Sequence, residues 1–189
     1  FRKDDRINYV LLLAGFTMHT VAMFMRGFSF NRCPVNNLFE ATMFVNWSAV
    51  GAYLILGLWP KIRSLGAFAS PIFVFLGIYA LMPGLDHHDA DGEMTKNGIV
   101  SLHAVLILIS YAGFGLCAVA SCMYLLQERN LKKHNIFAVT SVLPPIQRLE
   151  SVAGKLLVAS LILLTGGLSL APMLVGDKDG LIFYQDAKI

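Results

Sequence analysis

An all-α fold, a polytopic transmembrane helix bundle of about five spans, is what this sequence predicts. Hydrophobic residues make up 56% of the chain and charged ones only 14%, with a mean hydropathy of +0.63. A soluble domain carries roughly 25% charged residues, so this chain cannot cover a water-facing surface, and lipid must be part of its solvent. The apolar residues are gathered into five runs near the roughly 20 residues that a bilayer crossing requires. The charges are swept into the connections between those runs, where they are distributed unevenly between alternate sides.

The first span is expected from Asn8 to Met25, behind the charged start Phe1-Arg2-Lys3-Asp4-Asp5-Arg6. It is long enough to cross, and no small-residue cleavage site follows, so it is read as a span and not as a cleaved leader. The chain starts without an initiator Met, and a few preceding residues are expected. A loop with Cys33, Pro34, Asn36 and Asn37 leads to a second span from Leu38 to Leu58. The tight basic turn Trp59-Pro60-Lys61-Ile62-Arg63 follows, with Trp59 placed as an interfacial anchor. The third span runs from Leu65 to Met82, and an acidic, His-containing loop from Pro83 to Gly98 joins it to the fourth, Ile99 to Leu126. The link from Gln127 to Gly154 is expected to end in a surface helix opened by Pro144-Pro145, ahead of a fifth span from Leu156 to Val175. There is no internal repeat and no low-complexity tract, so residues 1–189 read as a single transmembrane domain.

Lys and Arg set the orientation. One set of connections holds Arg2, Lys3, Arg6, Lys61, Arg63, Arg129, Lys132, Lys133, Arg148 and Lys155; the other holds Arg26, Arg32, Lys96, Lys178 and Lys188. Ten against five makes the first set cytoplasmic, so the amino terminus is expected inside and, with an odd number of spans, the carboxyl terminus outside. A formal net charge of +3 is too small to suggest nucleic acid. No Cys-x-x-Cys pair is present, and Cys117 and Cys122, five apart on one helix, point to different faces. Nor is there a nucleotide-binding glycine loop or a Ser-His-Asp arrangement, so neither ATP use nor hydrolysis is indicated.

Ionisable groups inside a membrane helix are costly and are functional candidates by default. His19 lies about 11 residues, or roughly 16 Å, into the first span, near the bilayer midplane. A neutral imidazole there ligates iron, copper or zinc, or relays protons, or is simply hydrogen-bonded to a neighbouring helix. His103, in Ser101-Leu102-His103-Ala104, sits about one turn inside the external end of the fourth span, a position suited to an axial ligand of a flat cofactor at the membrane surface. Asp86-His87-His88-Asp89-Ala90-Asp91 gathers many ligand types, but adjacent residues seldom share one ion without a shaped loop. Glu40 is expected to complement the positive end of the second helix. Arg26 could pair with Glu40 or with an anionic propionate. Aromatics including Phe24, Phe28, Phe44 and Trp47 would line a groove able to take a porphyrin, or form packing and interface belts.

Cys33-Pro34-Val35-Asn36-Asn37-Leu38-Phe39-Glu40-Ala41 resembles the Pro-x-x-Asn-x-x-Glu stretch that opens a helix in the cytochrome c assembly family, which includes CcsA- and CcmC-like haem-handling proteins and a HemX/YpjD-like branch. Ser101-Leu102-His103, followed by Ser110-Tyr111-Ala112, is similar to the family's helix carrying an external haem-ligating His. Tyr124 to Lys132, Leu143 to Glu150 and Leu164-Thr165-Gly166-Gly167 resemble the segments that follow, in the same order. The likeness covers most of the chain and lies nearest the HemX/YpjD-like branch.

The resemblance implies haem as cofactor or cargo, held at the outer face by external His residues flanking a Trp-rich loop. His103 would be the first iron-ligating His, and His19 is similar in placement to a membrane-embedded His of some members. It further implies cytochrome c biogenesis, with haem delivered to apocytochrome c alongside other cytochrome c maturation proteins. The setting would be a bacterial inner membrane or an organelle equivalent, within a haem-attachment system. Tyr184-Gln185-Asp186-Ala187-Lys188-Ile189 only loosely matches the end of the Trp-rich loop. Family members continue through further helices, so the chain is expected to be the amino-terminal part of a longer family domain. Two other readings stay open: a structural or assembly subunit of a membrane respiratory complex without haem transfer, and a transporter using His19 and the Asp86–Asp91 loop.

Overall fold

The computed structural model describes residues 3–59, 62–82, 84–86, 98–132 and 144–175. They form five helices: α1 (Lys3–Phe30), α2 (Leu38–Leu56), α3 (Ser64–Ala80), α4 (Gly98–Lys132) and α5 (Ile146–Val175). Four of these contain segments long and apolar enough to cross a bilayer, namely Ile7–Phe30, Leu38–Leu56, Gly98–Lys132 and Ile146–Met173. The chain is a membrane helical bundle.

The third element departs from expectation. α3 has 17 residues and is about 25 Å long, against a hydrocarbon core of about 30 Å. It stops at Ala80 because Leu81 leaves the helix while its N–H still caps the carbonyls of Gly77 and Ile78 at 3.3 and 3.1 Å. Pro71 lies inside it and frees the Ala67 carbonyl, which instead accepts from Ser70 Oγ at 3.4 Å. Hydroxyls elsewhere bond their own helix in the same way, as Thr17 does to Leu13 and Thr165 to Leu161, so they can face lipid unpenalised.

The other helices outrun their apolar runs. α4 continues past Leu126 to Lys132, where Lys132 pairs with Glu128 at 2.6 Å across one turn and complements the negative helix end. The expected surface helix and the fifth span are one element: after Pro145, α5 runs unbroken from Ile146 to Val175. The reason is packing. Leu149 and Val152 of the supposed surface segment are 1% and 8% exposed and sit in the main hydrophobic cluster, beside Tyr53, Leu65, Leu116 and Met123.

α4 and α5 form the most extensive antiparallel pair, and α2 bridges them to α3 and α1. α1 packs mainly on α2: Tyr9 Oη donates to the Leu54 carbonyl at 3.0 Å, Phe16 stacks on Trp47 at 5.5 Å, and Trp47 Nε1 donates to Thr20 Oγ1 at 2.8 Å. Many of the other α1 side chains, among them Leu11, Met18, Val21 and Met25, are apolar and exposed, as suits a helix whose other neighbour is lipid. The elements alternate in direction. The end of α1, the start of α2, the end of α3, the start of α4 and the end of α5 therefore share one end of the bundle, opposite the main hydrophobic cluster. Arg26, Arg32, Glu40 and His103 lie toward that shared end, whereas His19 lies deeper along α1.

Candidate functional site

α1 closes in a Schellman cap. Asn31 takes the left-handed conformation (φ 50°), its N–H returns to Phe28 O at 3.2 Å, and the Arg32 N–H reaches Gly27 O at 3.2 Å. This turn aims Arg32 back at the start of α2. There Asn37 is the N-cap and accepts from the Glu40 N–H at 2.8 Å. Glu40 is the next charged residue, and its side chain is fully buried, at 0% exposure. It survives burial because every direction is answered: Arg26 Nε lies at 2.7 Å, Arg32 Nη1 at 2.8 Å and Nη2 at 3.2 Å, and the Asn36 N–H at 2.8 Å.

Arg26 also bonds Asp86, which in turn accepts from Asn37 Nδ2 at 2.7 Å. The α3–α4 connection is thereby tied to the ends of α1 and α2. Arg26 thus pairs with Glu40, one of the two partners weighed for it. Sequence reasoning missed Arg32 and Asp86 as members of this centre. The only signal was their sign and their place in connections on the same side. The remainder of the Asp86–Asp91 cluster, like His134, lies outside the described residues. Among the described residues, no group of three or more His, Cys, Asp or Glu could hold a metal ion.

His103 stands five residues after Gly98, about 8 Å into α4. Its Nδ1 lies 2.7 Å from the carbonyl oxygen of Gly167 on α5. A carbonyl only accepts, so in the neutral ring the proton sits on Nδ1 and the lone pair on Nε2. Ligating imidazoles are commonly fixed this way, by an N–H donated to a carbonyl from the nitrogen that does not bind metal. Gly167 permits the approach, since a Cβ there would meet Ile107 Cγ1 at 2.9 Å.

His19 is eleven residues before Phe30, about 16 Å from that end of α1. Its Nε2 is buried without a hydrogen-bond partner. The structure does not bring the two histidines together: one is on α1 beside α2, the other is tied to α5, and they lie at different depths. The aromatics do converge in part. Phe24, Phe28, Phe44 and Trp47 line a groove of about 420 Å³ between α1 and α2, with Asn31 and Arg32 at its mouth. Neither His19 nor His103 lines it.

The order of these pieces along the chain is that of a known family, whose profile, described as cytochrome c assembly protein, matches residues 35–170. The chain belongs to the cytochrome c assembly protein family. The match takes in Glu40, His103 and Gly167 and leaves Arg26, Arg32 and His19 outside. Protein HemX of Brevibacillus brevis is 27% identical over 196 residues, covering 100% of this chain and 69% of that protein. Protein NrfI of Wolinella succinogenes is 25% identical over 182 residues, 92% of this chain but 19% of NrfI. The cytochrome c biogenesis protein CcsA of Pyropia yezoensis is 27% identical over 124 residues, 62% of this chain and 39% of that protein. The chain thus spans well under half the length of two of these relatives. No solved structure matches.

Proposed function

We propose that this chain handles haem for cytochrome c biogenesis, with His103 Nε2 as a ligand to the haem iron near the outer face of the membrane. The carrying observation is the 2.7 Å contact between His103 Nδ1 and the Gly167 carbonyl, which fixes the tautomer and leaves Nε2 free to bind metal. Two rigid helices hold the ring, so the lone pair is oriented before haem arrives. Haem is cargo in this reading, passed on to the thiol pair of an apocytochrome c with the help of other maturation proteins. His19 is a second candidate ligand, since its buried Nε2 lacks a partner and an unanswered polar atom in hydrocarbon is costly.

The Lys/Arg asymmetry supports an amino terminus in the cytoplasm, which puts the His103 end of the bundle outside. The membrane is taken as a bacterial inner membrane or its organelle equivalent, and the chain as the amino-terminal part of a longer family domain.

The test is optical. Protein purified in mild detergent, with haem supplied, is assayed by absorbance and pyridine haemochrome beside His103→Ala and His19→Ala. A stoichiometric Soret band that shifts or disappears in His103→Ala is expected. Absence of haem from every preparation, or an unchanged spectrum and stoichiometry in His103→Ala, would overturn the reading in favour of a structural subunit.

A further inference from the structure

The groove between α1 and α2 is lined by neither His103 nor His19. We propose that it is a binding site for a prenyl quinone, a flat neutral ring bearing carbonyl oxygens on an isoprenoid tail. At about 420 Å³ it falls within the range of about 300–1,000 Å³ usual for small-molecule sites. It opens sideways, because two of its wall residues, Phe24 and Phe28, are 63% and 82% exposed on the lipid side of α1. A ligand dissolved in the bilayer can therefore enter without crossing water.

The walls suit a ring better than a chain. Phe24 and Phe28 stack with centroids 6.5 Å apart on one helix, and Phe44 and Trp47 meet at 5.5 Å on the other. Aromatic faces favour a second flat π-system by offset stacking, whereas a saturated acyl chain draws only on their area. The lining runs from Thr20, whose hydroxyl is already committed to the Phe16 carbonyl and Trp47, to Asn31 at the end of α1. Eleven residues of helix make this about 16 Å, enough for a head at the interface and the first tail units toward the midplane.

The mouth supplies the chemical preference. Arg32 spends Nη1 on Glu40 and the Cys33 carbonyl and Nη2 on Glu40, leaving N–H groups that only donate, beside the Asn31 amide. Donors at the mouth call for acceptor oxygens on the ligand. Its charge is set by the polar centre behind: Arg26 and Arg32 are balanced by Glu40 and Asp86. An anionic head, whether a phosphate or a pair of propionates, would bring further charge to a partly buried cluster whose described charges already balance. A neutral carbonyl-bearing ring brings none.

The experiment is photolabelling of the purified protein in phosphatidylcholine nanodiscs with an arylazido ubiquinone analogue, mapped by peptide mass spectrometry. Label is expected on the segments holding Phe24–Arg32 and Phe44–Trp47, displaced by decylubiquinone and not by phosphatidylglycerol or haem. The double variant Phe24→Ala/Phe28→Ala should bind about tenfold more weakly, from two lost ring contacts. Both side chains are largely exposed, so its thermal unfolding should be unchanged. Absence of label, or undiminished label in the double variant, overturns the proposal. Displacement by phosphatidylglycerol would make the groove an acyl slot, and displacement by haem alone a porphyrin seat; either also overturns it. None of these outcomes depends on His103, so they are independent of the haem test.

Discussion

Replacing Glu40 with alanine removes a carboxylate that answers two arginines at once. Glu40 is fully buried, Arg32 is 8% exposed and Arg26 is 23% exposed. In Glu40→Ala, Arg26 keeps Asp86, but Arg32 loses both carboxylate bonds and is left with the Cys33 carbonyl at 3.5 Å and the face of the Phe30 ring. Leaving a buried charge unanswered costs about 3–5 kcal/mol, and that is the loss expected. Glu40→Gln keeps the shape and one acceptor and should cost less, about 1.5–3 kcal/mol. The paired replacement Glu40→Met/Arg32→Leu removes the charge together with its partner and should return to within about 1 kcal/mol of the parent, because the penalty lies in the orphaned charge and not in the net worth of the pair. Equilibrium unfolding by steric trapping in bicelles measures all three. A Glu40→Ala loss below about 1 kcal/mol, or a double variant worse than either single change, would refute the view that buried, mutually compensated charge holds this end together.

Three further outcomes follow from single contacts. Gly113→Ala drives a Cβ into Ser160, which is 2% exposed, and should cost about 1–3 kcal/mol, recovered by adding Ser160→Ala, in the same unfolding assay. Gly167→Val places a Cβ 2.9 Å from Ile107 Cγ1 and pushes α5 off α4, so His103 loses its carbonyl partner. Haem titration of that variant should then show affinity reduced about 10–100-fold, the usual cost of losing the group that orients a ligating imidazole. Burial pushes the Cys33 thiol above its ordinary pKa, the Glu40 carboxylate adds to the rise and Arg32 opposes it. Less thiolate is then present at neutral pH, so maleimide labelling should be slow at pH 8 and keep accelerating into more alkaline solution. Glu40→Gln should speed it, and labelling at the rate of a free thiol would contradict this.

The helical bundle was legible because a bilayer imposes a length and a polarity that one-dimensional sequence records directly. The runs around Thr17, Leu54, Ile107 and Leu163 could be read without any partner in view. Boundaries were less legible. Nothing in the residues says that Leu149 and Val152 are buried under α2, α3 and α4, so the stretch from Pro144-Pro145 to Gly154 reads as a surface helix, whereas Ile146 onward forms the first turns of α5. α3 likewise reads as a full span from Leu65 to Met82, yet its helix ends at Ala80.

Within the candidate site the same division holds. By itself the sequence determined that this is an all-α membrane protein, and its motif order resembled that of the cytochrome c assembly family, with His19 and His103 as the candidate ligands. These are properties of local pattern: hydropathy over a span, a residue type at a register, a carboxylate near the start of a helix. Tertiary structure alone decided the pairings. Arg32 with Glu40, Arg26 with Asp86 60 residues away and His103 with the carbonyl of Gly167 64 residues away all depend on which helix ends meet. A backbone carbonyl carries no residue-type signal, and a charge in a connection can face water or a partner equally well in one dimension. Only the packing of α1 on α2 and of α4 on α5 removes the water and makes those groups choose each other.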